Sequence, residues 1–121
     1  MRGLMLFVMV ALFNNLAIAR SGWEGKTERG ASCLVEFVLE NNNISFSYGG
    51  EGFGFIVDSE LIQKAMALGN NKYVLKGGDG PFEAQLSLYF GAPGVLESVR
   101  YSRSAFLIPI TRVQCGRLVS Q

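Results

Sequence analysis

Apolar and polar positions alternate most cleanly over Phe82–Phe90, where Phe82, Ala84, Leu86, Leu88 and Phe90 share one parity and Glu83, Gln85, Ser87 and Tyr89 the other. Successive side chains of an extended chain point to opposite faces, so this period of two predicts a strand with one face on a core and one on water. Residues 33–39 read the same way, with Cys33, Val35, Phe37 and Leu39 on one side. The Glu40-Asn41-Asn42-Asn43 segment is turn chemistry, and Ile44-Ser45-Phe46-Ser47-Tyr48 alternates again, so residues 33–48 predict a hairpin. After Gly49-Gly50-Glu51-Gly52, residues 53–57 predict a third strand, in which Gly54 marks a bulge or a bend.

Helical spacing is rarer. Asp58 or Ser59 caps an expected helix over residues 60–68, with Leu61, Ile62, Ala65, Met66 and Leu68 apolar and Gly69 ending it. Residues 73–75 predict a short strand and residues 77–81 a turn. Residues 95–103 fit both templates and are assigned to a helix on Val95, Leu96 and Val99. Pro109 in the apolar run 106–113 predicts an edge strand that begins near Ile110. Residues 20–31 are polar and glycine-punctuated around Trp23 and read as an extended arm. The expected fold is α+β, mainly β: a small antiparallel sheet domain, sandwich or half-open barrel, with one or two short helices.

Composition changes this picture first at the N-terminus. Arg2, an apolar run over residues 4–13 and Ala17-Ile18-Ala19 form the three parts of a secretory signal peptide over residues 1–19, with cleavage before Arg20. The run is broken by Asn14-Asn15 and falls short of the roughly 17 to 25 apolar residues of a membrane span. Cleavage leaves a single β-rich domain over residues 20–121, in which ten basic residues balance ten acidic ones. That balance gives no bulk attraction to nucleic acid or to an anionic membrane, and the mature chain is expected to be periplasmic or secreted without stable membrane insertion.

Two cysteines remain in a compartment that oxidises thiols, so Cys33 and Cys115 are expected to form a disulfide. On neighbouring antiparallel strands, such a bond would set Val35 opposite Val113 and Glu36 opposite Arg112. The latter pair would neutralise part of an uneven charge distribution. Residues 20–60 hold three basic and seven acidic side chains, whereas residues 100–121 hold Arg100, Arg103, Arg112 and Arg117 and no acid. The other reading of that tail is a docking surface for an acidic partner.

There is no histidine, which excludes the Ser-His-Asp and Cys-His arrangements and the usual zinc sites. Carboxylate pairs, Asp58 with Glu60 or Asp79 with Glu83, are the only candidates for acid–base work, and turn and cap chemistry accounts for both. No catalytic, cofactor or metal residue is therefore assigned. The glycine-rich segment before residue 53 lacks the spacing and the lysine of a phosphate loop. Tyr48, Phe53 and Phe55 around it form a possible binding loop, since exposed rings stack sugars or bases, although core packing explains the same rings.

The order of Cys33, Ile44-Ser45-Phe46-Ser47-Tyr48, the glycine-rich Phe53 to Val57 stretch, Leu68-Gly69, Tyr73-Val74-Leu75 and Gly78-Asp79-Gly80 resembles small uncharacterised periplasmic proteins of Gram-negative bacteria. The resemblance implies a strand in place of the helix over residues 62–68, and it carries no activity. The expected function is that of an exported, non-catalytic binding or interaction module of the cell envelope, with an unknown protein or small ligand as partner. The alternatives are a small carboxylate-based enzyme and a secreted inhibitor-like protein acting through the Gly/aromatic loop.

Overall fold

Short turns generate most of the topology. The computed structural model describes residues 20–121, so the signal-peptide expectation for residues 1–19 lies outside the described residues. Strand β1 (Arg20–Thr27) turns through Gly30, at φ 83°, into β2 (Ser32–Val38). A 3-10 turn over Leu39–Asn41 and left-handed Asn42 lead into β3 (Asn43–Tyr48). Gly49 and Gly50, at φ 55° and 82°, then make a two-residue turn into β4 (Glu51–Ile56). Two successive positive φ values match the right-handed twist of a hairpin and suit glycine, which has no Cβ to clash.

Helix α1 (Ser59–Leu68) follows β4, as its spacing predicted. The Asp58 carboxylate accepts hydrogen bonds from the Glu60 and Leu61 amides at 3.1 and 3.3 Å, satisfying two of the donors that a helix start leaves open. Gly69 ends the helix at φ 72°, where a Cβ would press on the Pro93 nitrogen and the Gly91 carbonyl. The strand that the resemblance implied over residues 62–68 is thus replaced by a helix. Ile62 and Met66 lie one turn apart and are both buried while Lys64 between them is exposed, which a period of two would not allow.

The second half repeats the meander: β5 (Asn71–Asp79), β6 (Phe82–Phe90), β7 (Leu96–Ala105) and β8 (Ile108–Ser120). All eight strands form one antiparallel sheet in the order β4-β3-β2-β1-β8-β7-β6-β5. The sheet curls until its two edges approach, a Cβ on Gly77 of β5 lying 3.5 Å from the Phe55 ring of β4. The expected mainly-β domain is therefore a nearly closed barrel, not a sandwich. Val35, Phe37, Ile44, Phe46, Leu86, Leu88, Val99 and Tyr101 fill it. Helix α1 closes one end, tied by Gly94 N–H to the Met66 carbonyl and by Ser59 Oγ–H to the Leu39 carbonyl. Burying Ile62 there contributes about 1.5–3 kcal/mol. The hairpin turns β1–β2, β3–β4, β5–β6 and β7–β8 all lie at the opposite end.

Several expectations are corrected. The polar arm over residues 20–31 contains an interior strand, β1, paired on both sides, with Trp23 buried. Its glycines hid the alternation. Strand β5 runs on through Gly77 and Gly78, and only Gly80-Pro81 turns. Residues 96–105 form strand β7 where a helix was expected, because Leu96, Val99 and Tyr101 all enter the core once Glu97 is extruded as a bulge opposite Tyr89 and Phe90. Gly54 lies in a regular ladder opposite Ser45, with no bulge. Ser87, expected on the water face, is buried. Strand β8 begins at Ile108 and is not an edge. Pro109 is tolerated because β1 pairs with β8 only from Cys115 onward and because Ile110 bulges beside it.

The disulfide joins Cys33 to Cys115 with Cα atoms 6.1 Å apart, but their strands are not neighbours. Strand β1 lies between them, Gly25 facing Cys33 and Thr27 facing Cys115. Strands separated by a third normally stand about 9.5 Å apart. Here β8 bulges at Arg117-Leu118 against Gly25, where a Cβ would run into the Gly116 carbonyl oxygen and lie 2.9 Å from Leu118 Cδ2. The expected register consequently fails: Val35 faces Trp23 and Phe46, Val113 faces Tyr101, Glu36 faces Gly22 and Ser45, and Arg112 faces Ser102.

Two outcomes test this seam. Removing the disulfide as Cys33→Ala/Cys115→Ala frees a loop with sequence separation 82 and should lower the unfolding free energy in urea by about 4–5 kcal/mol. Gly25→Ala should destabilise by about 1–3 kcal/mol with the disulfide intact, because β8 backbone cannot yield as a side chain would. An unchanged denaturation midpoint for either variant would contradict the packing described.

Candidate functional site

The β7–β8 connection departs furthest from what its residue types favour. Phe106 and Leu107 occupy the two turn positions at φ 52° and 66°. Both signs suit Asn-Gly, while a Cβ in left-handed conformation costs roughly 1–2 kcal/mol per residue. Neither side chain recovers that energy by burial. Phe106 is 74% exposed, Leu107 85% and Ile108 67%, with Ile110 also exposed on the same hairpin. The neighbouring β5–β6 turn supports it, since Phe106 N–H donates to the Pro81 carbonyl at 3.0 Å. Pro81 and the exposed Phe82 extend the same apolar apex. The Arg103 guanidinium lies 5.2 Å from the Phe82 ring centroid, a cation–π contact at the base of the apex.

Inside the barrel below the apex, rings fill the space. Tyr101 stacks on Phe53 at 4.4 Å between centroids and on Phe46 at 5.6 Å, and Tyr48 stacks on Phe53 at 6.1 Å. Tyr101 Oη and Trp23 Nε1 are buried without a hydrogen-bond partner. Burial raises the Tyr101 pKa above its ordinary value, opposed by the Arg103 charge and assisted by Tyr48 and Glu51. Tyr48 is raised for the same reason, with Glu51 adding to the effect and Arg103 opposing it.

The residues singled out by sequence fall into place around this arrangement. Tyr48, Phe53 and Phe55 lie on the inward parity of β3 and β4, with Phe55 buried and the other two half-buried. They join Tyr101 and leave the outer face of the glycine turn without rings. Asp58 caps α1, and Glu60 is exposed in its first turn. Glu83 is exposed near the β5–β6 turn, and Asp79 is the last residue of β5 at that same end. Asp58 and Glu60 thus stand at the helix end of the barrel, and positions 79 and 83 at the hairpin end. Among the described residues no cluster of three acidic or thiol ligands could hold a metal.

A trough of about 1150 Å³ runs over the outer face of β1–β4, floored by Gly22, Leu34, Ser47 and Gly52. Its carboxylates, Glu24, Glu36 and Glu51, are exposed, and no buried polar side chain lines it. It presents surface but no convergent chemistry. The apex at Phe106-Leu107 escaped the sequence reading because the run 106–113 looked like an ordinary apolar strand. The signal it did offer was a turn position without Gly, Asn or Asp between two short apolar stretches.

The comparisons with known proteins give no analogy to lean on: no family model, no curated protein and no solved structure matches this chain.

The tyrosine geometry generates its own test. A buried hydroxyl without a partner costs about 1–3 kcal/mol, so Tyr101→Phe should leave stability unchanged or raise it by about 1 kcal/mol. Because both tyrosines have folded pKa values above their ordinary 10.0, their contribution is complete below that value and is lost as pH rises through the folded pKa. Urea titrations at neutral and strongly alkaline pH should therefore show a smaller alkaline loss for Tyr101→Phe than for the wild type. A neutral-pH loss of more than about 1 kcal/mol would mean that the hydroxyl is paired.

Proposed function

We propose that this chain is an exported, non-catalytic interaction module of the cell envelope, periplasmic or secreted, that docks through the apex at Phe106-Leu107. The observation that carries the reading is the pair of bulky apolar residues held at positive φ and left in solvent. Strain that packing does not repay is concentrated at binding and switch elements, because folding alone gives no reason to keep it. Contiguous exposed apolar side chains on a hairpin tip point to the same role.

Export is supported by the signal-like residues 1–19 and by the disulfide, which suits an oxidising compartment. No helix among the described residues is long and apolar enough to cross a membrane. The inhibitor-like alternative placed its loop on the glycine-rich β3–β4 turn, whose rings Tyr48, Phe53 and Phe55 pack inward, whereas the exposed apolar turn is the one on β7–β8. No observation favours the carboxylate enzyme.

The test uses exported, oxidised protein incubated with a native envelope fraction. Phe106→Asn/Leu107→Gly supplies the residues such a turn prefers and should keep the wild-type circular dichroism. Co-sedimentation with the envelope fraction should fall at least about tenfold, since each large apolar side chain buried on docking is worth about 1.5–3 kcal/mol. Undiminished co-sedimentation of a folded variant would remove the apex from the account.

A further inference from the structure

The apex has a charge frame as well as an apolar tip. Between Arg103 and Arg112 the chain reads Ser104-Ala105-Phe106-Leu107-Ile108-Pro109-Ile110-Thr111, with no charged residue. Arg103 faces Thr111 across the hairpin and Arg112 faces Ser102, so the two arginines stand one rung apart at its base. They lie on opposite faces: Arg103 shares the parity of Val99 and Tyr101, and Arg112 the outer parity. On the outer face the rung continues from Arg112 through Ser102 and Gln85 to Lys76. Among the described residues no ion pair closes over Arg100, Arg112 or Arg117. The acids at this end are Glu28, whose carboxylate accepts the Gln114 N–H, Glu51, Asp79 and Glu83, and Glu83 faces Ser104.

We propose that the apex docks on the interfacial layer of an anionic lipid membrane, with Phe106, Leu107 and Ile108 entering the headgroup–acyl boundary and Arg103 and Arg112 bound to lipid phosphates. This rests on the reading above that the apex is the docking element. Dimensions favour lipid over a protein partner. The tip presents half a dozen apolar side chains on a projecting turn, short of the roughly 800 Å² per partner that a stable protein interface buries. The arginine rungs lie two and three pairs below the Ala105–Ile108 pair that closes the turn, about 7–10 Å at the rise of a strand. Interfacial elements bury roughly 5–10 Å, which leaves the guanidinium groups among the phosphates. The backbone is also suited to a poorly hydrated layer. Pro109 carries no N–H, and the Phe106 N–H is already bonded to Pro81. The overall charge balance does not oppose this, since the arginine pair acts within a Debye length of the surface.

The experiment is flotation of exported, oxidised protein with phosphatidylcholine vesicles, with and without phosphatidylglycerol. Every variant carries the N-terminus that export leaves, so differences between variants read the apex alone. Wild type should float with the anionic vesicles and lose binding as salt rises. Phe106→Asn/Leu107→Gly should stay at the bottom of the gradient. Arg103→Gln/Arg112→Gln should bind anionic vesicles roughly 25-fold more weakly, fivefold per arginine, and approach its affinity for neutral vesicles. Equal flotation of wild type and Phe106→Asn/Leu107→Gly would overturn the proposal. So would wild type that ignores both kinds of vesicle. If the apex variant nevertheless lost the envelope fraction, the docking reading would stand with a protein partner in place of lipid. A concentration-dependent dimer in ultracentrifugation that Phe106→Asn/Leu107→Gly abolishes would assign the apex to a second copy instead. Retention of both envelope and vesicle binding by that variant would end both readings.

Discussion

The Cys33–Cys115 bond across β1 is the constraint on which the rest of the barrel depends. The chain is two four-stranded meanders, β1–β4 and β5–β8, joined along the chain by one element and within the sheet by one seam. The element is α1, which closes the end of the barrel between β4 and β5. The seam is β1–β8, whose ladder is interrupted by a bulge opposite Gly25. Gly25 has no side chain to hold β2 and β8 apart, so the sheet folds sharply there and the cysteines reach each other over it. The bond clamps the seam near the hairpin end, where the Glu28 carboxylate also accepts the Gln114 N–H at 3.0 Å. A strained apex on β7–β8 can persist because β8 beneath it is held covalently to β2.

The same seam divides the charges. Residues 20–60 carry seven acids and three bases, and residues 61–121 carry seven bases and three acids. Each meander therefore brings its own sign to its own side of the barrel. Neutralisation across the seam would have required β2 beside β8, which the intervening β1 prevents. The arginines of β7 and β8 face serine, threonine and glutamine on the neighbouring strands: Arg100 lies opposite Ser87 and Gln114, Arg103 opposite Thr111, and Arg112 opposite Ser102. A domain whose residues 20–121 carry no net charge can in this way keep a basic side free for an anionic surface.

Strands with large inward residues were legible in the sequence. The period of two in β2, β3 and β6, and in α1 the Asp58 cap with the paired spacing of Leu61-Ile62 and Ala65-Met66, were each sufficient by themselves. What failed shares one cause, interruption of that period. Gly22 and Gly25 mask β1, and the Glu97 bulge shifts Leu96 out of step with Val99 and makes β7 look helical. Ile110 does the same beside Pro109. Local patterns also carry no information on which strands become neighbours, so the disulfide was readable but its register was not. The apex was hidden for a different reason: its peculiarity is conformational, and no residue type announces that Phe and Leu will occupy positive φ.

The central claim is that Phe106-Leu107 is kept for docking on something outside the barrel and against the interest of its stability. Urea unfolding of Phe106→Asn/Leu107→Gly, compared with wild type under oxidising conditions, measures this directly. The account predicts a variant more stable by about 2 kcal/mol, because the strain of two left-handed residues is released while the core stays as packed as before. A variant less stable than wild type would show that the pair is held by folding interactions, and the apex would then be part of the structure's own packing.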